Sequence, residues 1–463
     1  MFRKTVTVLV LSFVLAFSAW AQDNGSDNIT ADEDALFSGA ATSEEDSMFR
    51  AESGETETGI ETGGVLVVDI ADSLDSGLEY DALESETVRI GGSFDFNAAD
   101  SWMWTKKTDG DGWEEPAIDE DRFALDLAAN IFFEARPDTD TKFYGSVDIR
   151  SPLFTLEDDE TTPLIDESRG FEDIVKIDEL FADFNWNEDI FFRAGKQTVN
   201  YGVGYFYSPA DVLSIGEIDP EDPEAELEGP AALKASVPMG VNSLQVYALA
   251  DEDITTAADI ALVPAFEFVL GSTEVGIGGY YRSDKAPRAM ATLTTSVFGD
   301  ESIFAEALVG YGTPEGLTLS DRDEWFAQLT GGLMYSGSVE TDAEFNIFSY
   351  TLAGQYLYNY GDDEREELIT MPGDHYLTLM GAVSDIAETG VSVRATWQAN
   401  LSDGSSRLYG SVGWELFDGM KISAGLTWLA GEPGDEYTTL IEGVPGNDMV
   451  MGTISASFGK GSF

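Results

Sequence analysis

The chain has 463 residues, 87 of them acidic against 24 basic, for a net charge of -63, and it has no cysteine. That charge makes nucleic acid and anionic lipid surfaces poor partners, and the missing cysteine removes disulfides, thiol nucleophiles and thiolate metal sites. With 47 glycines and 12% aromatic residues, the composition suits twisted strands edged by aromatic girdles.

The chain opens with Arg3 and Lys4, runs through apolar residues 6–17 and reaches Ala19-Trp20-Ala21. That is the pattern of a secretory signal peptide, with an apolar run too short to span a bilayer. Residues 1–21 are therefore expected to be removed on export across the inner membrane. The best later apolar run, residues 260–270, is broken by Pro264 and Glu267. A spanning helix needs about 20 apolar residues, so the exported chain is either soluble or crosses a membrane as a closed sheet.

Residues 22–86 are polar and acidic, with Arg50 as the only basic residue. Such a stretch buries too little apolar surface to offset its ordering entropy, so a largely disordered, low-complexity periplasmic segment is expected. Within it Glu33-Asp-Ala-Leu-Phe37 and Glu45-Asp-Ser-Met-Phe49 echo each other. The echo is either chance in a biased composition or a pair of docking motifs for a periplasmic partner.

From residue 87 the pattern changes. In Thr87-Val-Arg-Ile-Gly-Gly-Ser-Phe-Asp-Phe96 the residues Val88, Ile90, Phe94 and Phe96 share one face, with Arg89, Ser93 and Asp95 on the other. Residues 123–136 repeat this at greater length, with Phe123, Leu125, Leu127, Ile131 and Phe133 against Asp126, Asn130, Glu134 and Arg136. Residues 143–150, 391–399, 408–416 and 422–428 do so again. A sustained period of two is a strand with one apolar and one polar face. Acidic, turn-rich stretches separate the segments, of which there are roughly 16 to 18, in the range of mid-sized membrane barrels.

The polar faces decide what the apolar faces meet. Arg89, Arg136, Arg150, Arg193, Lys234, Arg282, Arg394, Arg407 and Lys421 are all opposite in parity to their strand's apolar residues. A wet lumen tolerates such a set and a protein core does not. Tyr and Trp recur near segment ends, where interfacial girdles belong. The expected fold is all-β: a transmembrane antiparallel barrel over residues 87–463.

Other chemistries fail on their spacing. Arg193-Ala-Gly-Lys-Gln-Thr198 lacks the first glycine of a phosphate-binding loop, because residue 190 is Ile, and has Gln197 where Ser or Thr should follow Lys196. Gly202-Val-Gly204 has no third glycine and no helix after it. Asp109-Gly-Asp-Gly-Trp-Glu-Glu115 puts Trp113 and Glu114 where a calcium loop needs an oxygen ligand and a glycine. Weak divalent-cation binding by acidic loops is all that remains, and no cofactor is implied. A single histidine, His375, supports no catalytic triad, and no pair of carboxylates stands out as a glycosidase site, so enzymatic activity is not expected.

The stretch from Asp178 to Val212 resembles the alginate-export and related porin-like outer-membrane barrels. Those proteins carry a strand ending in Arg-x-Gly-x-Gln, a Tyr/Trp-Gly turn and a Pro-x-Asp-Val loop, matched here by Arg193, Gly195, Gln197, Tyr201, Gly202, Pro209, Asp211 and Val212. Such barrels also tend to end in phenylalanine read by the barrel-insertion machinery. Phe463 fits, yet Ile454, Ala456 and Phe458 alternate on the other parity, leaving two ends for the final strand. The resemblance implies a porin in the outer membrane of a diderm bacterium, in contact with its lipid. It would pass small hydrophilic solutes, anions or carbohydrates among them. Pore-lining candidates are Arg89, Arg136, Arg150, Arg193, Lys196, Gln197, Arg394 and Arg407. Tyr201, Gly202, Pro209 and Asp211 mark a loop at the constriction. The alternative is a plugged structural barrel or a surface adhesin with acidic extracellular loops.

Overall fold

The structure, a computed structural model, describes residues 88–460 except 107–111, 115–122, 158–159, 162–173, 188, 200, 215–217, 219–222, 224–226, 251–255, 257–258, 284, 297–300, 312–324, 341–345, 361–370, 372, 418 and 440–447. The expected signal peptide, the acidic segment 22–86 and Phe463 lie outside the described residues.

In chain order the strands are β1 (Val88–Lys106), β2 (Trp113–Glu114), β3 (Phe123–Asp138), β4 (Thr141–Glu157), β5 (Glu160–Thr161), β6 (Val175–Trp186), β7 (Ile190–Lys196), β8 (Ala231–Met239), β9 (Asn242–Ala250) and β10 (Ala261–Leu270). They continue with β11 (Thr273–Tyr280), β12 (Arg288–Thr295), β13 (Glu301–Tyr311), β14 (Trp325–Glu340), β15 (Asn346–Tyr360), β16 (His375–Ser384), β17 (Val391–Asn400), β18 (Ser406–Phe417), β19 (Met420–Ala430) and β20 (Met449–Lys460). The two-residue strands β2 and β5 are small hairpin arms on β1 and β4. The other 18 form an antiparallel meander in chain order, closed where β1 pairs with β20 from Phe94↔Lys460 to Thr105↔Met449. Closure leaves no sheet edge, which is what a bilayer demands of a β structure.

The period of two in the sequence becomes the two sides of the wall. Ile90, Phe94, Leu127, Ile131, Leu244, Ile277, Leu329, Leu352, Leu379, Val412 and Leu426 are all exposed and face outward. The polar partners of these residues point into the barrel. Aromatic residues gather toward strand ends on the outside, as with Trp186, Tyr281, Trp325, Tyr356, Tyr360 and Trp414. The final strand ends at Lys460, and Phe458, opposite Phe96 and Met420, is an outward-facing strand residue.

Connections alternate in length. Tight turns join β3 to β4, β6 to β7, β8 to β9, β10 to β11 and β18 to β19, whereas the longest links between wall strands follow β4, β7 and β19 at the opposite end. β1 begins and β20 finishes at the tight-turn end. Part of the link after β7 turns away from the rim into the barrel.

Candidate pore constriction

Residues 197–199 and 201–214 leave β7 and turn inside the barrel. The reason is in their composition: Val199, Tyr201, Phe206, Tyr207 and Leu213 are large apolar side chains in a connecting segment, and all of them are buried. Fully burying one such side chain stabilises by roughly 1.5–3 kcal/mol, enough in sum to hold a loop against the wall. Its two arms pack on β8–β14, where Val199, Tyr201, Ala210 and Leu213 meet Ala232, Tyr247, Leu249, Ala261, Val263, Met290 and Leu308. Small inward residues, such as Ala261 and Ala265, leave room for it. The tip between the arms packs on β15 and β16, with Phe206 and Tyr207 against Ala353, Leu357, Tyr376 and Met380.

A buried loop must also satisfy its backbone. Two inward side chains do most of this. Glu306 of β13 accepts hydrogen bonds from the N–H groups of Val203, Gly204 (2.6 Å) and Ala210 (2.9 Å) and from the Ser208 hydroxyl (3.0 Å). Gln355 of β15 accepts from the N–H groups of Tyr205 (3.0 Å) and Phe206 (2.6 Å), and its Nε2 donates to the Tyr207 carbonyl (2.6 Å) and to Thr330 Oγ1 (2.7 Å). At the far end the Tyr207 hydroxyl is bonded to Thr378 of β16 and receives Gln398 Nε2 of β17 at 3.1 Å. The two glycines of Gly202-Val-Gly204 allow this close approach. A Cβ on Gly204 would lie 1.9 Å from the Tyr207 carbonyl oxygen, and one on Gly202 only 1.6 Å from Ser208 Oγ.

Asp211 closes the segment on itself. Its Oδ1 accepts from the N–H groups of Leu213 (3.3 Å) and Ser214 (3.2 Å), and Oδ2 lies 2.7 Å from the Ser214 hydroxyl. Pro209 sits in the turn between Ser208, whose carbonyl accepts from the Asp211 N–H at 3.1 Å, and Ala210. Tyr201, Gly202, Pro209 and Asp211 are thus all in the inward segment. Gln197 is its first residue, fully buried, with Nε2 donating to the Ala232 carbonyl at 3.3 Å.

The segment covers only part of the inner wall. Under it inward residues of β8–β17 such as Val263, Gln355 and Thr378 are sealed, with 0%, 1% and 0% exposure. On β1, β3, β4, β18, β19 and β20 the inward residues Asp95, Asn97, Asp126, Asn130, Asp148, Ser411, Ser423 and Ser455 are instead half-exposed, although Thr105, Ser146 and Thr427 on the same strands are buried. An apolar, lipid-compatible outside and a polar, solvent-reached inside now stand on one closed wall. The molecule is a transmembrane β-barrel of the outer-membrane type.

No family model matches the chain, and no curated relative matches it. Among solved structures it is similar to Pseudomonas aeruginosa OccK5 (OpdH), at 9% identity over 80% of this chain and 98% of that one, with a TM-score of 0.46. It is also similar to Pseudomonas aeruginosa OpdK determined with vanillate, at 10% identity over 81% and 99% of the two chains, TM-score 0.46. A third is OmpT, an outer membrane protein of Vibrio cholerae, at 11% identity over 81% and 99%, TM-score 0.39.

Within the barrel the basic residues rarely stand alone. Arg193 of β7 makes a two-pronged ion pair with Asp183 of β6, Nε to Oδ1 at 2.7 Å and Nη2 to Oδ2 at 3.1 Å, and its guanidinium lies 3.9 Å over the Phe181 ring. Arg136 Nε is 2.6 Å from Glu134, which also receives Lys142 at 3.6 Å. Arg150 reaches toward Asp148 at 3.9 Å and is otherwise exposed. Arg89 lies over the Phe132 ring at 5.6 Å. Arg394 and Arg407 hold inward parity, opposite Ser411 and Gln398 respectively. Lys196 differs. It is opposite Leu180 in register, on the outward-facing parity, and its ammonium bonds the Ile177 carbonyl (2.7 Å) and Glu228 (2.6 Å).

The anchors Glu306 and Gln355 were not singled out from the sequence. Both are polar residues on the inward parity of a strand, which also describes any residue lining a wet lumen. The available signal lay in the loop: an aromatic-rich connecting segment needs a wall to bury against and acceptors for its N–H groups.

Proposed function

We propose that this chain is an outer-membrane channel for passive diffusion of small hydrophilic solutes, narrowed by the inward segment 197–214. The observation that carries it is the unequal burial of the inner wall. The segment seals the β8–β17 side and leaves the β18–β20 and β1–β4 side wet, so the passage runs off-centre between them. Solutes crossing it would meet Asn, Ser and charged side chains that replace part of their hydration.

Charge selectivity in this reading is weak. Arg136, Arg150 and Arg193, three of the pore-lining candidates, each have a carboxylate beside them, which cancels most of their field at a distance. Uncharged solutes such as small sugars then pass about as readily as anions, and the outer size limit is set by the inward segment. Reversal potentials in planar bilayers, together with liposome swelling in sugars of graded size, test both statements. A strong anion preference would show that these carboxylates do not cancel the arginines' field. Folded protein without any current would favour the plugged barrel.

A further inference from the structure

We propose that Glu436 is a positioning residue for the constriction: through Tyr376 it ties the β19–β20 connection to the Tyr207 end of the inward segment and so sets the width of the passage. This rests on the channel reading above. Residues 431–439 follow β19 on the long-loop side and contain one turn of 3-10 helix, Glu436–Thr438. Although they belong to a connection, Tyr437 and Thr438 are buried.

The Glu436 side chain is what holds this connection down. Its Oε2 accepts from the Tyr376 hydroxyl of β16 at 2.6 Å and from Asn400 Nδ2 of β17 at 2.7 Å. Its own N–H donates to Asp403 Oδ2, in the turn between β17 and β18, at 3.0 Å. The next N–H, of Tyr437, reaches Ser405 Oγ at 3.4 Å. The strap therefore leaves β19, passes β18 and fastens on β17 and β16.

Tyr376 is where the strap and the inward segment meet. Its hydroxyl belongs to the strap, and also accepts from the Gly373 N–H at 2.6 Å. Its ring, with 0% exposure, belongs to the cluster that holds Phe206 and Tyr207, and its centroid is 6.2 Å from that of Tyr207. A side chain with no free space transmits displacement at either end to the other. Releasing the hydroxyl frees the ring, and with it the anchorage of Tyr207.

The titratable groups facing Glu436 are Tyr376 from β16 and Asp403 from the β17–β18 turn, with neutral Asn400 from β17. Tyr437 adjoins it in the strap, and Arg407 of β18 acts on Tyr437. Burial holds the Glu436 carboxyl above its ordinary value of 4.5, and Asp403 adds to this, while the hydrogen bonds from Tyr376 and Asn400 oppose it. A raised carboxyl favours the fastened strap at low pH, and that preference is lost as pH rises through the raised value.

The test uses the full chain in planar bilayers and in swelling liposomes, with heat-modifiable gel migration to confirm folded barrels. Glu436→Ala and Tyr376→Phe are each expected to raise conductance and to admit larger sugars. Glu436→Gln, which keeps an acceptor oxygen, should stay near wild type in width and lose part of the pH dependence above pH 4.5. If Glu436→Ala does not fold, Tyr376→Phe decides alone, since it keeps the ring and removes only the hydroxyl. Unchanged conductance and size limit in the folded variants overturn the inference and leave the channel reading intact. No current from folded wild-type protein overturns both.

Discussion

The Ala210 N–H donates to Glu306 Oε2 at 2.9 Å across 96 residues of sequence, joining the end of the inward segment to the middle of β13. The other carboxylate oxygen takes Gly204 and Ser208, so a single side chain clasps the segment at both of its turns. Glu306 has only 3% exposure, and a polar side chain buried that deeply is tolerated because hydrogen-bond donors surround it.

Replacing Glu306 by Ala leaves the N–H groups of Val203, Gly204 and Ala210 without their acceptor. Each buried orphan costs about 1–3 kcal/mol, so the segment is expected to leave the wall. Conductance and the sugar size limit should both rise, while gel migration still reports a folded barrel. A variant with wild-type conductance would show that apolar packing alone holds the segment.

Gln355→Leu keeps the volume and removes the bonds to Tyr205, Phe206 and Tyr207. The expected loss is about 2–4 kcal/mol of local stability at the far end of the segment. Hydrogen exchange should speed at residues 205–207 more than at 210–213, because Glu306 still holds the latter. Equal acceleration along the whole segment would mean that the two anchors act as one.

Gly204→Ala places a methyl group 1.9 Å from the Tyr207 carbonyl, a clash with backbone that no rotamer relieves. Its expected effect is on the passage and not on assembly: altered conductance from a barrel that folds and inserts at the wild-type yield. A sharp fall in insertion would show that the segment is needed to build the wall.

Arg193→Ala leaves the Asp183 carboxylate uncompensated on the inner wall. The reversal potential should shift toward cations, and Asp183→Asn in the same chain should bring it back toward wild type. Loss of the partly buried pair is expected to cost on the order of 1–3 kcal/mol, because the remaining charge is only partly solvated. Lys196, on the outward parity, should leave selectivity unchanged when replaced by Gln.

At the rim Glu228 bonds both Lys176 and Lys196, and those two hydrogen bonds hold its carboxyl below 4.5 against a small opposing effect of burial. A lowered carboxyl contributes stability above pH 4.5 that is lost as pH falls through the folded value. Amide exchange around Lys196 and Gln197, corrected for its intrinsic pH dependence, should therefore accelerate on acidification. Glu228→Gln should abolish that acceleration.

Much of the wall was legible in the residues. The alternation of 123–136 became β3, that of residues 87–96 opened β1, and the counted segments bracketed the 18 strands that close. The inward parity of Arg89, Arg136 and Arg193 could be read in the same way, since side-chain direction in a strand is a local property. The cross-strand partners could not. Asp183 meets Arg193 across a hairpin register and Lys142 reaches Glu134 from the next strand, so these pairings depend on alignment between strands, whereas Arg136 and Glu134 are two residues apart on one face.

The segment 197–214 divides the same way. Its sequence carries a turn signature in Gly202, Pro209 and Asp211 and too many large apolar side chains to remain in water. By itself the sequence determined an alternating, two-faced sheet and an aromatic loop that needed burial, because hydrophobic period and turn chemistry are local. Only the tertiary structure decided that Glu306, Gln355 and Tyr376 receive that loop and that one side of the lumen stays open. Closing the barrel brings residues about a hundred or more positions apart within hydrogen-bonding distance, and no local pattern encodes which of the many inward polar side chains will face the loop.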